Sequence, residues 1–311
     1  MNSASTPPPR FLGLSAGAVV MLLLGVLALF RFFYCQWLFI LPDETYYWQW
    51  SRHLDASYFS KGPAIAYTIA AGTALWGDNN FGIRFFSVLL AVGTGWQVFL
   101  LARRWYDETT AVIAVLLAGV IPLYAIGSVL MTIDPLSAFF WIWAANLFSQ
   151  ALQRNRMSDW LWTGFAVGSG FLAKYTNALE LLAFLFFLLL VPARRHLLIS
   201  GRFWAMLAMT VICTLPVWWW NAIHHWPTVG QLADRGHLNG PFTLQFSTFL
   251  DFVKMQAVVI SPLLFIALMI VAGRGMAIRW RNPKARETRA NCSCCSFSFP
   301  FFSSTPFSPG I

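Results

Sequence analysis

Eight stretches of the chain stay apolar for about the length of a lipid crossing: Phe11–Phe30, Phe85–Ala102, Ala111–Met131, Leu136–Leu152, Trp160–Ala173, Ala178–Val191, Phe203–Trp220 and Phe252–Gly273. A crossing helix takes about 20 residues, range about 17–25. Lipid offers the backbone no hydrogen bonds, so open sheets are excluded and helices are favoured. The expected fold class is therefore an all-α polytopic membrane protein. Composition agrees, because only 11% of the residues are charged, against roughly 25% in soluble domains. A soluble enzyme is excluded, and 17% aromatic residues exclude disorder over most of the length. Phe11–Phe30 is too long for the apolar part of a signal peptide and no small-residue cleavage site follows it, so it reads as an uncleaved first helix.

A ninth run, Pro63–Trp76, has only 14 residues. Charge decides how to read it. With residues 1-10 inside and Pro63–Trp76 lying along the membrane, 14 of the 21 basic residues fall inside, among them Arg103, Arg104, Arg194 and Arg195. If Pro63–Trp76 crossed, Arg103 and Arg104 would move outside and the bias would collapse. The positive-inside rule favours eight crossings, with outer loops at residues 31-84 and 221-251. The net charge of +9 then reflects topology, and no nucleic-acid partner is expected.

Trp160–Val191 is 32 residues, too long for one ordinary crossing. Two short helices meeting near Lys174-Tyr175-Thr176-Asn177 keep Arg194 and Arg195 inside. Residues 274-311 form a basic segment and then a low-complexity tail, NCSCCSFSFPFFSSTPFSPGI. A frame change or truncation in the coding sequence accounts for that shift better than a metal site does. Cys292, Cys294 and Cys295 have no His or second Cys pair to complete one.

The outer face holds the polar residues that need explaining. Asp43 and Glu44 follow Pro42, a helix-start pattern that suits the macrodipole. Lys61 lies nearby. Asp134, in MTIDP, sits between two apolar runs and reads either as a helix cap or as a group facing a cavity. Lys174, in GFLAKYT, is either a snorkelling helix-end lysine or a cation lining a site for an anionic ligand. Arg84, in FGIRFF, is an interface anchor or a further cation. The loop after Trp220 adds Asn221, His224, His225, Asp234, Arg235 and His237. Adjacent His224 and His225 cannot easily share one metal ion.

The motifs LPDETYYW, YFSKGP, FGIRFF, LMTIDPLSAFFW, GFLAKYT and WNAIHHW, in this order, carry a resemblance. The chain resembles bacterial members of the family of protein O-mannosyltransferases and the lipid A aminoarabinose transferase. The resemblance covers roughly residues 11-273. It implies the C-type membrane glycosyltransferase fold, with juxtamembrane helices in the first outer loop and a cavity at the outer face of the inner membrane. It implies a polyprenyl-phosphate-linked sugar donor and a lipid, glycan or protein acceptor. Carried over residue by residue, Asp43 matches the acid of the first loop and is the expected catalytic base, with Glu44 beside it as a further candidate, and Lys61, Asp134 and Lys174 match family positions. The charge of the residues themselves makes Lys61, Arg84, Lys174 and Arg235 the candidate donor-phosphate cations, and Asp134, Tyr58, Tyr175, Asn221 and His225 are candidates to line the cavity. Ser60 stands where many relatives have an acid or His, and Gly62 where Pro is common, which leaves any divalent metal unassigned.

The chemistry suits these residue types. A sugar phosphodiester already has a good leaving group, so one carboxylate suffices to take the acceptor hydroxyl proton. Cations then stabilise the charge growing on the departing phosphate. A single displacement inverts the anomeric centre. The rival readings are a secondary transporter using Asp134 and Lys174 as intramembrane sites, which lacks the internal repeats common in that class, and an inactive truncated paralogue.

Overall fold

A computed structural model describes residues 10–11, 13–235 and 246–281. The tail cysteines, His237 and the side chain of Arg235 lie outside the described residues. Among the described residues the regular structure is helical apart from a short hairpin pairing Arg10–Phe11 with Leu14–Ser15. The helices are α1 (Ala16–Tyr34), α2 (Pro42–Ser51), α3 (Ala64–Trp76), α4 (Asn80–Trp105), α5 (Glu108–Gly119), α6 (Pro122–Gly127), α7 (Ile133–Arg154), α8 (Met157–Ala173), α9 (Leu179–Leu190), α10 (Gly201–Ile223), α11 (Pro227–Arg235), α12 (Phe246–Ile260) and α13 (Pro262–Arg281). Short 3-10 turns occupy Tyr175–Ala178 and Pro192–Ile199.

Among the described residues, α1, α4 and α10 are each long and apolar enough to cross a membrane alone. They wear the pattern of a lipid-facing helix. On α1, Ala16, Val20, Leu24, Ala28 and Arg31 are buried at three- and four-residue spacing, while Leu22, Val26, Leu29, Phe30 and Phe33 face outward. The buried stripe packs with Phe99 of α4 and Ala111, Val112 and Val115 of α5. This is an all-α membrane protein.

Two expected single crossings are broken. Ala111–Met131 divides into α5 and α6 at Pro122. Phe252–Gly273 divides at Ser261, where the flanking helices meet at 110°. Proline lacks the N–H that continues a helix and disfavours helical backbone in the residue before it. Ser261 itself sits at φ 91°, outside the extended region that a following proline favours. The first helix starts at Ala16, capped by the Ser15 hydroxyl, later than the apolar run suggests. By contrast Trp160–Val191 does divide at Lys174, and the short run after Pro63 is a separate helix, α3.

Close helix contact depends on small residues where no hydrophobic effect acts between helices in lipid. Gly164 and Gly168, one turn apart on α8, press against the Met206 backbone and the Cys213 side chain of α10. The Thr210 hydroxyl donates to the Gly164 carbonyl at 3.1 Å across that contact.

Candidate functional site

The segment between α1 and α4 is held by a buried ion pair. Arg84, in the second turn of α4, and Glu44, in the first turn of α2, are both fully buried. Arg84 Nε donates to Glu44 Oε1 at 2.8 Å and Nη2 to Oε2. Its remaining N–H groups go to the carbonyls of Cys35, Leu38 and Phe39, at 2.8, 2.9 and 2.8 Å. All five guanidinium donors are thus used. Glu44 also accepts from the backbone N–H groups of Leu41 and Met131 at 3.1 and 2.9 Å. A buried pair is tolerated only when hydrogen bonds satisfy its remaining atoms, as here. This corrects two sequence expectations. Arg84 has no donor left for a phosphate, and Glu44 has no free oxygen for catalysis. Together they fasten the 35–41 loop and α2 to the start of α7.

Asp43, one position earlier, is exposed and makes no hydrogen bond or ion pair among the described residues. Pro42 begins α2 and directs the chain into the helix. The far side of α2 is braced at its other end, where Trp48 Nε1 donates to Asp78 at 2.6 Å and Arg52 pairs with the same carboxylate at 3.2 Å.

Lys174 ends α8 with extended backbone, and its Nζ lies 2.8 Å from Asp134 Oδ1. Both side chains are partly open, at 36% and 50% exposure. The pair is therefore reachable by a ligand. Asp134 sits in the first turn of α7, but the cap is Thr132, whose hydroxyl accepts from the Asp134 N–H at 3.3 Å. That leaves the Asp134 carboxylate to Lys174. Asn177 fixes the turn beyond Lys174, accepting from Ser137 Oγ at 2.6 Å and donating to the Ser137 carbonyl.

Lys61 is half-buried and engaged. Its neighbour Gly62 explains the departure from proline. A Cβ at Gly62 would collide with the Leu172 carbonyl, so the 60–63 backbone lies directly on the end of α8. Tyr58 stacks on Trp50 with ring centroids 4.3 Å apart and donates its hydroxyl to the Trp50 and His53 carbonyls. Burial pushes its phenol pKa up, so it remains a donor holding the loop closed. Tyr175 meets Ser57 Oγ at 3.3 Å, tying the loop to the turn after α8. Asn221 is buried, donating to the Val217 carbonyl and accepting from the Thr228 N–H. It shapes the turn in which His225 and Trp226 both take left-handed backbone, at φ 61° and 60°. His225 is exposed there.

Two contacts had no sequence signal beyond polarity. Asp55 accepts from Trp220 Nε1 at 2.8 Å, joining the first loop to the end of α10. Ser57 is the partner of Tyr175. Among the described residues no three His, Cys, Asp or Glu side chains gather into a set that could hold a metal ion, so a metal has no ready donor set here. A hollow of about 530 Å³ lined by Gln36, Asn79, Asn80 and Phe81 contains none of these residues.

A helical membrane protein with an accessible pair of unlike charges at the helix ends is the class these features define. The chain belongs to the dolichyl-phosphate-mannose-protein mannosyltransferase family, which matches residues 60–220, just over half of it. It is 31% identical over 232 residues to the lipid A galacturonosyltransferase RgtD of Rhizobium johnstonii, covering 73% of this chain and 48% of the relative. It is 34% identical over 207 residues to the undecaprenyl phosphate-alpha-4-amino-4-deoxy-L-arabinose arabinosyl transferase of Pseudomonas aeruginosa, covering 59% and 36%. A Pseudomonas fluorescens transferase of that name is 32% identical over 210 residues, with 59% and 36% covered. The chain thus spans half or less of the length of these relatives. No solved structure matches it.

Proposed function

We propose that the protein is a glycosyltransferase that moves a sugar from a polyprenyl-phosphate donor to a lipid acceptor at the outer face of the cytoplasmic membrane. The observation that carries this reading is the half-exposed Lys174–Asp134 pair beside a loop bearing the unpaired carboxylate of Asp43. Family membership and the lipid A transferases among the relatives supply the donor and acceptor classes.

In the proposed reaction the acceptor hydroxyl oxygen attacks the anomeric carbon as its proton passes to the Asp43 carboxylate. The bond between that carbon and the phosphate oxygen breaks, and polyprenyl phosphate leaves with the electron pair. Lys174 exchanges Asp134 for the phosphate and stabilises the growing charge. Lys61, next to the close contact at Gly62, is the second cation. In this reading the chain makes eight crossings in a C-type arrangement. Residues 11-273 form the transferase module and α2 and α3 lie at the membrane surface. The broken segments at Pro122 and Pro262 count as one crossing each. Family membership leaves the transporter reading with no observation of its own.

The test is to incubate membranes containing the protein with radiolabelled undecaprenyl-phosphate sugars and lipid A, and identify the labelled product. Label that stays in the donor with every sugar and acceptor tried overturns the proposal.

A further inference from the structure

Two polar pairs join α7 to the turn that follows α8. Asp134 meets Lys174, and three residues further along each element Ser137 meets Asn177. The second pair is a closed bracket. Asn177 is fully buried. Its Oδ1 accepts from Ser137 Oγ at 2.6 Å, and its Nδ2 donates to the Ser137 carbonyl at 3.1 Å. Among the described residues these two pairs are the polar ties between the turn and α7.

The bracket reaches Lys174 through the backbone. The Asn177 N–H donates to the Lys174 carbonyl at 2.9 Å, and the Lys174 N–H donates to the Gly170 carbonyl at 2.8 Å. The Lys174 backbone is therefore pinned on both sides of its Cα, while its side chain stays partly open. Gly170 supplies the room for this arrangement. A Cβ there would lie 2.5 Å from Asn177 Nδ2 and 3.1 Å from Phe140 Cβ, so a side chain at position 170 would push Asn177 out of its bracket.

Phosphate binding makes the two pairs unequal. When the Lys174 ammonium takes a phosphate it leaves Asp134, and that tie opens. The turn then has two polar ties to α7 in the resting protein and one in the loaded protein. A side chain that changes partners keeps its reach only where neighbouring hydrogen bonds hold the backbone from which it hangs.

We propose that Asn177 is the positioning residue for Lys174: its bracket with Ser137 holds the Lys174 backbone on α7 while the ammonium passes from Asp134 to the donor phosphate. The inference rests on the transferase reading above. The plain alternative is that Asn177 only satisfies buried polar atoms at a helix end. That role predicts lost stability, with donor affinity unchanged in the molecules that fold.

The test measures binding of radiolabelled undecaprenyl phosphate to the full chain in phosphatidylcholine nanodiscs, per folded molecule. Ser137→Ala removes one bond of the bracket at a half-buried position. It is expected to weaken binding about fivefold, the worth of one hydrogen bond of about 1 kcal/mol. Asn177→Ala removes both bonds and weakens binding further. In a Lys174→Ala background Ser137→Ala has no additional effect, because the residue through which it acts is gone. A Ser137→Ala effect that persists in full without Lys174 overturns the proposal. Wild-type binding that both single variants match also overturns it and leaves the transferase reading standing. A wild-type chain that binds no undecaprenyl phosphate overturns that reading and the proposal with it.

Discussion

Replacing Arg84 by methionine separates two roles for a cation at this position. If Arg84 held the donor phosphate, its loss would reduce transfer and leave stability intact. The structure assigns it to the Glu44 pair. Arg84→Met then leaves a fully buried carboxylate with only the Leu41 and Met131 N–H groups, and strips donors from the carbonyls of Cys35, Leu38 and Phe39. Breaking one side of a buried pair costs about 3–5 kcal/mol, because the remaining charge is uncompensated. That corresponds to a fall in Tm on the order of 10 °C for a protein this size. The assay is thermal unfolding in detergent, with the R84M/E44M double variant alongside. Removing both charges relieves the unpaired carboxylate, so the double variant recovers part of the loss. A single variant with unchanged Tm, or a double variant less stable by the sum of the two single losses, refutes the structural assignment.

Asp43→Asn is expected to lower transfer about 10²–10⁴-fold, the worth of a general base, with donor binding retained; activity within a few-fold of wild type removes Asp43 from the mechanism. Lys174→Ala weakens donor binding and slows transfer, and Lys174→Arg restores only part, since a planar fork does not replace a point charge. If the Arg variant is fully active and the Ala variant merely expresses less, Lys174 is a helix-end anchor. Gly62→Ala forces a methyl group onto the Leu172 carbonyl, and an overpacked contact costs about 1–3 kcal/mol; an unchanged melting curve contradicts the close approach. For the eight-crossing topology, cysteines placed at Asp55 and Gly230 are labelled from outside and those at Asp107 and Leu198 are not; outside labelling at Asp107 sinks it.

Much of the architecture was legible because proline and charge punctuate the apolar runs. Pro42 with two acids marked the start of α2, and Lys174 interrupting Trp160–Val191 marked the break that the structure has. Pro122 and Pro262 carried the same kind of signal, but hydropathy averaged across them and concealed two breaks. The charged residues were harder. Asp43 and Glu44 look equivalent in sequence, as do Lys61 and Arg84, because burial and partners come from contacts 40 or more residues away, such as Glu44 with Arg84 and Met131. The Lys174–Asp134 pair, also 40 residues apart, joins two residues that the sequence singles out only separately.

Successive residues on a helix point about 100° apart. Glu44 is fixed bidentately, and with Trp48 tied to Asp78 it sets the rotation of α2 about its own axis, and with it the direction in which Asp43 leaves the helix. One carboxylate acts as the compass for the next. Inserting a single residue between Asp43 and Glu44, with Glu44 held in its pair, would turn the outward acid by about 100°. Exchanging the two acids, Asp43→Glu together with Glu44→Asp, would shorten the fixed arm by a methylene and drag the helix after it. The adjacency of the two acids is therefore a matter of aim: their order and spacing, as much as their charge, determine where a proton could be taken.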